Sequence, residues 1–233
     1  MKKLKTLGII MGALLVLFVA AFAVMAALGI FTVETGEGGG ISFNPIVMKK
    51  NWEIPLSEKT AVIKTEKGEI KIALADCEAA EKFSELAKSG IYLESAFDTV
   101  AEDLFISASA NGESFEAEMT SYACVYGAVG FVLEGEKAAP DFFIVTKNGL
   151  SGLSESFMTE QGFDEEKIAF YKENGGIPEY EGKVIIFGKV LSGMETAEKI
   201  AKTENSGYTG GYKPAEAVKI ISAGIIEPEE TTE

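Results

Sequence analysis

The stretch VIIFGKVLSGMETAEKIAK, Val184 to Lys202, constrains the fold of this chain most strongly. It reads as a strand, a glycine-containing turn and an amphipathic helix with Met194, Ala197, Ile200 and Ala201 on one face. Upstream, DFFIVT (Asp141–Thr146) adds a strand carrying two adjacent phenylalanines. Ala61–Thr65 and Glu69–Leu74 form a hairpin around Glu66-Lys67-Gly68, with Ile70, Ile72 and Leu74 alternating as a half-buried strand requires. A short helix with Phe83, Leu86 and Ala87 at helical spacing stops near Gly90. Ser95–Ser107 reads as one or two strands, with Phe97, Val100, Leu104 and Ile106 as core candidates. Gly127–Leu133 and Ala217–Ile221 complete the pattern. Many strands and few helices predict a mainly β fold, a closed antiparallel barrel with two flanking helices. An insertion at about 147–183 interrupts it. Asp164 is placed to cap a helix over Glu165–Asn174, which Gly175-Gly176 would stop.

The N-terminus carries a different signal. Residues 6–33 hold no charge, and Leu7–Phe31 is almost entirely apolar. As a helix, about 25 residues rise roughly 37 Å, enough to cross a bilayer with some tilt. A cleaved signal has a shorter apolar region, so an uncleaved transmembrane anchor is favoured over a removed leader. Lys2, Lys3 and Lys5 then keep residues 1–6 cytoplasmic and put the body outside the cell membrane. Residues 32–56, with Gly36, Gly38, Gly39 and Gly40, read as a glycine-rich tether to a domain at 57–226. Trp52 either docks that tether or sits at the membrane interface. Residues 227–233 form an acidic tail.

Formal net charge is −15, which argues against nucleic acid and anionic headgroups as partners. The chain contains no histidine and its 21 basic residues are all lysine. Without histidine or a CxxC pair, the sequence recommends no metal and no cofactor. For the same reason Ser154 lacks a base to activate it. Cys77 and Cys124 fit either a disulfide or two separate buried thiols.

Six segments in order carry a family resemblance over about 58–226. TAVIKTEKGEIKIAL, EKFSELAKSGIY, SAFDTVAEDLFISA, GAVGFVL, DFFIVT and GIPEYEGKVIIFGKV together resemble the cyclophilin-type peptidyl-prolyl isomerases. The last is the most specific, because its Gly-Lys and Phe-Gly-Lys-Val elements keep their spacing. The resemblance implies a cyclophilin-like barrel, a role in protein folding and an extended or proline-containing polypeptide as partner.

What the family uses for chemistry is largely missing. Prolyl isomerisation must lower a barrier of about 18–20 kcal/mol, and the family eases the amide with a groove arginine, a histidine and neighbouring amide side chains. Carried over, the arginine position holds Thr99 and the histidine before it Asp98. The groove histidine becomes Val184. The Phe-Met-x-Gln set becomes Leu104, Phe105, Ile106 and Ser107. The glutamine before the double phenylalanine becomes Asp141. The tryptophan becomes Glu179 and its neighbour Tyr180. Of the usual set only Phe143 is retained. Phe143, Leu104, Phe105 and Phe131 are the candidates for an apolar pocket, with ordinary barrel core as the competing reading for all four and the favoured one for Phe131 and Phe142. Losing one preorganised donor typically costs about 10²–10³ in rate. The expectation is therefore a membrane-anchored, extracytoplasmic isomerase domain with weak or lost catalysis. The alternatives are a non-catalytic peptide- or protein-binding module of the envelope, and an acidic structural domain without a groove ligand.

Overall fold

The computed structural model describes Phe31–Val33, Ile41–Phe43 and residues 52–228. Phe31–Val33 (β1) and Ile41–Phe43 (β2) pair antiparallel, Phe31 opposite Phe43, where the anchor was expected to end and the tether to begin. The expected cytoplasmic stub, the rest of the apolar run and most of the acidic tail lie outside the described residues. Among the described residues no helix is long and apolar enough to cross a membrane.

Eight strands close the barrel. They are β3 (Leu56–Thr65), β4 (Gly68–Ala75), β5 (Ala96–Ala101), β6 (Phe105–Ser109), β7 (Ala128–Glu134), β8 (Lys137–Val145), β9 (Val184–Ser192) and β10 (Val218–Ile226). Their order around the ring is β10-β3-β4-β9-β7-β8-β6-β5, and every pairing is antiparallel. The expected Ser95–Ser107 region is two strands, turned at Asp103 with φ 55°.

The closure is uneven. β10 pairs with β3 from Ile220 to Ile226, but with β5 only through Val218 opposite Phe97 and Lys219 opposite Ala96. Beyond that two-residue seam the Val100 N–H donates instead to the carbonyl of Tyr212 (2.9 Å), in the loop before β10.

Among the described residues, four α-helices accompany the strands. α1 (Glu78–Lys88) and α4 (Met194–Ala201) are the two flanking helices read from the sequence. α3 (Glu165–Asn174) starts as expected, the Asp164 carboxylate accepting from the Lys167 N–H at 2.7 Å. α2 (Gly152–Glu160) was not foreseen. Its apolar residues do not line one face: Leu153 is 83% exposed, and only Ser154 and Met158 are buried.

Strand alternation divides the apolar residues into two clusters. Phe97, Val100, Ile106, Val129, Phe131, Phe142, Ile144, Ile185 and Phe187 fill the interior. Phe83 of α1 packs among them, its ring centroid 4.6 Å from Phe187, 5.4 Å from Tyr92 and 5.5 Å from Phe142. Tyr92 sends its hydroxyl to the carbonyl of Pro140 (2.9 Å). Outside the wall, Phe143, Val145, Val184 and Ile186 join Met158, Tyr171 and Ile177 of the insertion. Leu104, expected in the core, belongs to this outer cluster and is only half-buried.

Phe83→Ala would leave a hole shared by four rings. It should cost about 3–5 kcal/mol in equilibrium urea unfolding; a loss below about 1 kcal/mol would mean the interior can collapse around the vacancy.

Candidate active site

One hydrogen-bonded register builds the site. Thr99 lies opposite Ser107, Ser107 opposite Phe143, Phe143 opposite Gly130, and Gly130 opposite Ile186. These five positions form a transverse row on the outer face. The next residues along, Val100, Ile106, Ile144 and Val129, point inward. The row thus unites Thr99, Ser107 and Phe143, three positions singled out from the sequence. Phe131 does not join them: it is fully buried inside the barrel, 4.5 Å from Phe187 and 6.2 Å from Phe83. Its place among the pocket candidates is corrected, since alternation from Gly130 turns it inward.

Phe143 is the floor of the site rather than an open wall, with 2% of its surface exposed. Its ring fits because position 130 is glycine: a Cβ there would stand 3.0 Å from Phe143 Cε1 and 2.8 Å from the Ile185 carbonyl oxygen. Phe105 stands edge-on to Phe143 at 6.5 Å and meets Tyr180 at 5.9 Å. Leu104, Phe105 and Tyr180 all pack against the outer cluster while remaining half-exposed. The apolar surface open to a ligand is therefore Leu104, Phe105 and Tyr180, with Thr99 on the neighbouring strand β5. Val184 is buried behind this surface and presents no donor. Ser107 is buried and its hydroxyl is occupied by the Phe142 carbonyl (3.2 Å).

Acids border the row. The Ser109 hydroxyl donates to Asp98 (3.1 Å), and Asp141 accepts from the Ala110 N–H (2.8 Å). Burial pushes the Asp141 carboxyl above its ordinary 3.8, helped by the negative charges of Asp98 and Glu134, while its two hydrogen bonds pull the other way. Glu179 is drawn into the insertion, where it accepts from the Ser154 hydroxyl (2.6 Å). That bond gives Ser154 a structural role.

The insertion is fastened to the barrel behind the site. The Tyr171 hydroxyl accepts from the Cys124 N–H (2.8 Å) and donates to Glu181 (2.6 Å), which also pairs with Lys167 (2.5 Å). Burial and Glu181 raise the Tyr171 phenol strongly. Trp52 docks here: its carbonyl accepts from the Ala123 N–H (2.8 Å), and Lys167 Nζ sits 5.9 Å from its ring. Both cysteines are free thiols, raised by burial, Cys124 in the outer cluster and Cys77 at the start of α1. One neighbour was missed altogether. Tyr212 adjoins β5 through the Val100 bond, and no periodicity marks a loop tyrosine at that place.

A cleft of about 380 Å³ lies elsewhere, between β3, β4 and β10. Lys64 and Lys71 in its wall both pair with Glu69, and none of the row contributes to it.

Comparison with known proteins supplies a second line of findings. Residues 60–225 match the family model described as cyclophilin type peptidyl-prolyl cis-trans isomerase/CLD. A Staphylococcus saprophyticus protein provisionally named a peptidyl-prolyl cis-trans isomerase is 30% identical over 193 residues, covering 76% of this chain and 96% of its own length. A Staphylococcus aureus protein of the same provisional name is 29% identical over 170 residues, covering 66% and 86%. Two crystal structures of a Cryptosporidium parvum cyclophilin-type isomerase, one determined in the presence of the dipeptide Ala-Pro, share the fold. Their TM-scores are 0.53 and 0.54 at 19% and 18% identity, covering 72% and 73% of this chain and 99% and 98% of theirs.

Gly130→Ala should cost about 1–3 kcal/mol, because the added methyl meets backbone and the Phe143 ring; unchanged stability in urea would mean that ring is free to move. Asp141→Asn tests the buried acid. A folded-state pKa raised above the unfolded one means stability is complete below pH 3.8 and declines as pH rises through the folded value. The Asn variant should therefore unfold at higher urea than wild type at neutral pH, with the difference fading below pH 3.8. A neutral-pH midpoint unchanged or lowered would contradict this.

Proposed function

The chain belongs to the cyclophilin-type peptidyl-prolyl cis-trans isomerase family, and we propose that it is a slow member held at the outer face of the cell membrane. The observation that carries this reading is the transverse row Thr99–Ser107–Phe143 beside Phe105 and Tyr180. It keeps an aromatic platform suited to a proline ring while offering no charged donor to the twisted amide. Aromatic faces bind apolar rings through buried area, so proline-containing peptide can dock without an ion. The rate is another matter. Bond order in an amide falls when the nitrogen lone pair is stabilised out of conjugation, and preorganised donors are the main device for that. A threonine hydroxyl lacks the fixed, charged fork of a guanidinium. Membrane attachment rests on the uncharged run Leu7–Phe31 behind three lysines. Acidic surface suits a body in the extracytoplasmic space.

A second reading, a peptide-binding module with no useful catalysis, is favoured by Thr99 and Val184 at the arginine and histidine positions. Prolyl exchange of a short Ala-Pro peptide, followed by NMR with the full chain in detergent, separates them. Faster exchange than in buffer, lost in Phe105→Ala, is the expected result. Peptide-induced shifts at Phe105 and Tyr180 without acceleration would make the domain a binding module. Neither shifts nor acceleration would remove the peptide reading altogether.

A further inference from the structure

Thr146 carries a hydroxyl that the fold does not use. It follows β8 directly, two residues beyond the inward-facing Ile144, and is 4% exposed. Its N–H donates to the Leu104 carbonyl (3.0 Å), but its hydroxyl is buried without a hydrogen-bond partner among the described residues. Buried polar groups are ordinarily paired. A valine would fill the same shape without the polar atom, so packing alone gives no reason for threonine here.

Thr146 lines a cavity of about 200 Å³ between the β5–β6 turn and the C-terminal end of α4. The turn contributes Glu102 and Asp103, α4 contributes Glu198, and the segment after β8 adds Asn148. Glu198 is fixed at the wall by the Tyr126 hydroxyl, which donates to it at 2.5 Å. Glu102 and Asp103 are exposed and, among the described residues, have no ion-pair partner. Lys202 lines the cavity as well, but forms no ion pair with any of the three acids. Three carboxylates against one ammonium leave the cavity negative, and the end of a helix adds to that sign.

The wall also limits what fits. The three carboxylates do not converge closely enough to share one metal ion among the described residues. A cationic ligand must instead reach them with several separate donors. An alkylammonium has three N–H donors and a guanidinium five. The ionised acids of the wall only accept, so a donor for the Thr146 oxygen comes naturally from such a ligand.

We propose that this cavity is a binding site for an alkylammonium or guanidinium group, with Glu102, Asp103 and Glu198 as its counter-charges and the Thr146 hydroxyl as a neutral acceptor. The site goes beyond the isomerase reading and does not depend on it. It does share a wall with the proline platform. The Leu104 carbonyl accepts from both the Thr146 and Lys147 N–H groups (3.0 and 3.2 Å), while the Leu104 side chain packs on the outer cluster with Phe105. The basic side chain of a polypeptide lying over Leu104 is one source of the group, and a free amine is the other.

The full chain in detergent, titrated at constant ionic strength with n-butylammonium and with ethylguanidinium, gives the test by NMR. Saturable shifts are expected at the Asp103, Thr146 and Glu198 amides with at least one of the two. Tetramethylammonium, which carries the charge without N–H donors, should produce none. Thr146→Val should weaken binding about tenfold with the urea midpoint held or raised, whereas a merely structural threonine would lower the midpoint and leave binding intact. Glu102→Gln combined with Asp103→Asn alters only exposed groups, and asparagine tolerates the left-handed backbone at 103 (φ 55°). That double variant should also bind about tenfold more weakly, and it decides the matter if valine disturbs the fold. No saturable shifts, equal shifts with tetramethylammonium, or full affinity in the double variant would overturn the site. An Ala-Lys-Pro-Ala peptide that binds more tightly than Ala-Ala-Pro-Ala, with the difference lost in Thr146→Val, would identify a polypeptide side chain as the source. Equal binding of the two peptides beside saturable n-butylammonium binding would identify a free amine. None of these readouts requires isomerisation, so the site and the proposed function can fail separately.

Discussion

The pairing of β6 between β5 and β8 is the constraint on which this molecule depends. Ser107 faces Thr99 on one side and Phe143 on the other, and that single register decides which of two adjacent phenylalanines enters the barrel. Because side chains alternate strictly along a strand, a slip of one residue would exchange the faces. Phe142 would leave a core in which it meets Phe83, Tyr92 and Phe97 edge-on. Phe143 would leave the floor that Gly130 opens for it. Packing inside and the site outside are therefore fixed by the same hydrogen bonds. The interior does not tolerate the alternative, so the exterior inherits its geometry.

What that geometry carries is a cleft of rings and acids rather than of rings and cations. Asp98 and Asp141 meet around Ser109, and Asp141 is already lifted by its own burial. An anionic border does nothing to ease a twisting amide, whose nitrogen gains lone-pair density as conjugation is lost. The insertion spends its polar groups inward as well. Tyr171, Glu181 and Lys167 satisfy one another and Cys124, and Glu179 turns to Ser154.

The barrel was legible because strands announce themselves by period-two alternation and turns by glycine. Phe97, Val100 and Ile106 were recognised as core for that reason. The helix after Asp164 was legible because capping is a local signal between side chain and backbone. α2 was not, since a helix lying on the barrel with only Ser154 and Met158 buried writes no apolar stripe. Leu104 looked like core because sequence cannot tell the inside of a barrel from an outer face that an insertion covers. Phe131 was kept as a pocket candidate for the same reason, and only the register around Gly130 separates it from Phe143. Tyr212 was invisible because its placement depends on a backbone conformation that tyrosine rarely adopts and on a bond to a strand more than a hundred residues earlier.

The two-residue seam has a temporal side. Ala223 pairs with Ile63 and Ile226 with Thr60, so the ring cannot close until nearly the whole domain exists as free chain. Pairings this distant in sequence are slow to form, because the entropy of the intervening loop is lost before the contacts compensate. A nascent chain would until then present seven strands and an unpaired edge. The loop bearing Tyr212 lies just ahead of the closing strand. The side of the cleft it defines is thus the last to take shape, and its arrival coincides with the disappearance of the open edge.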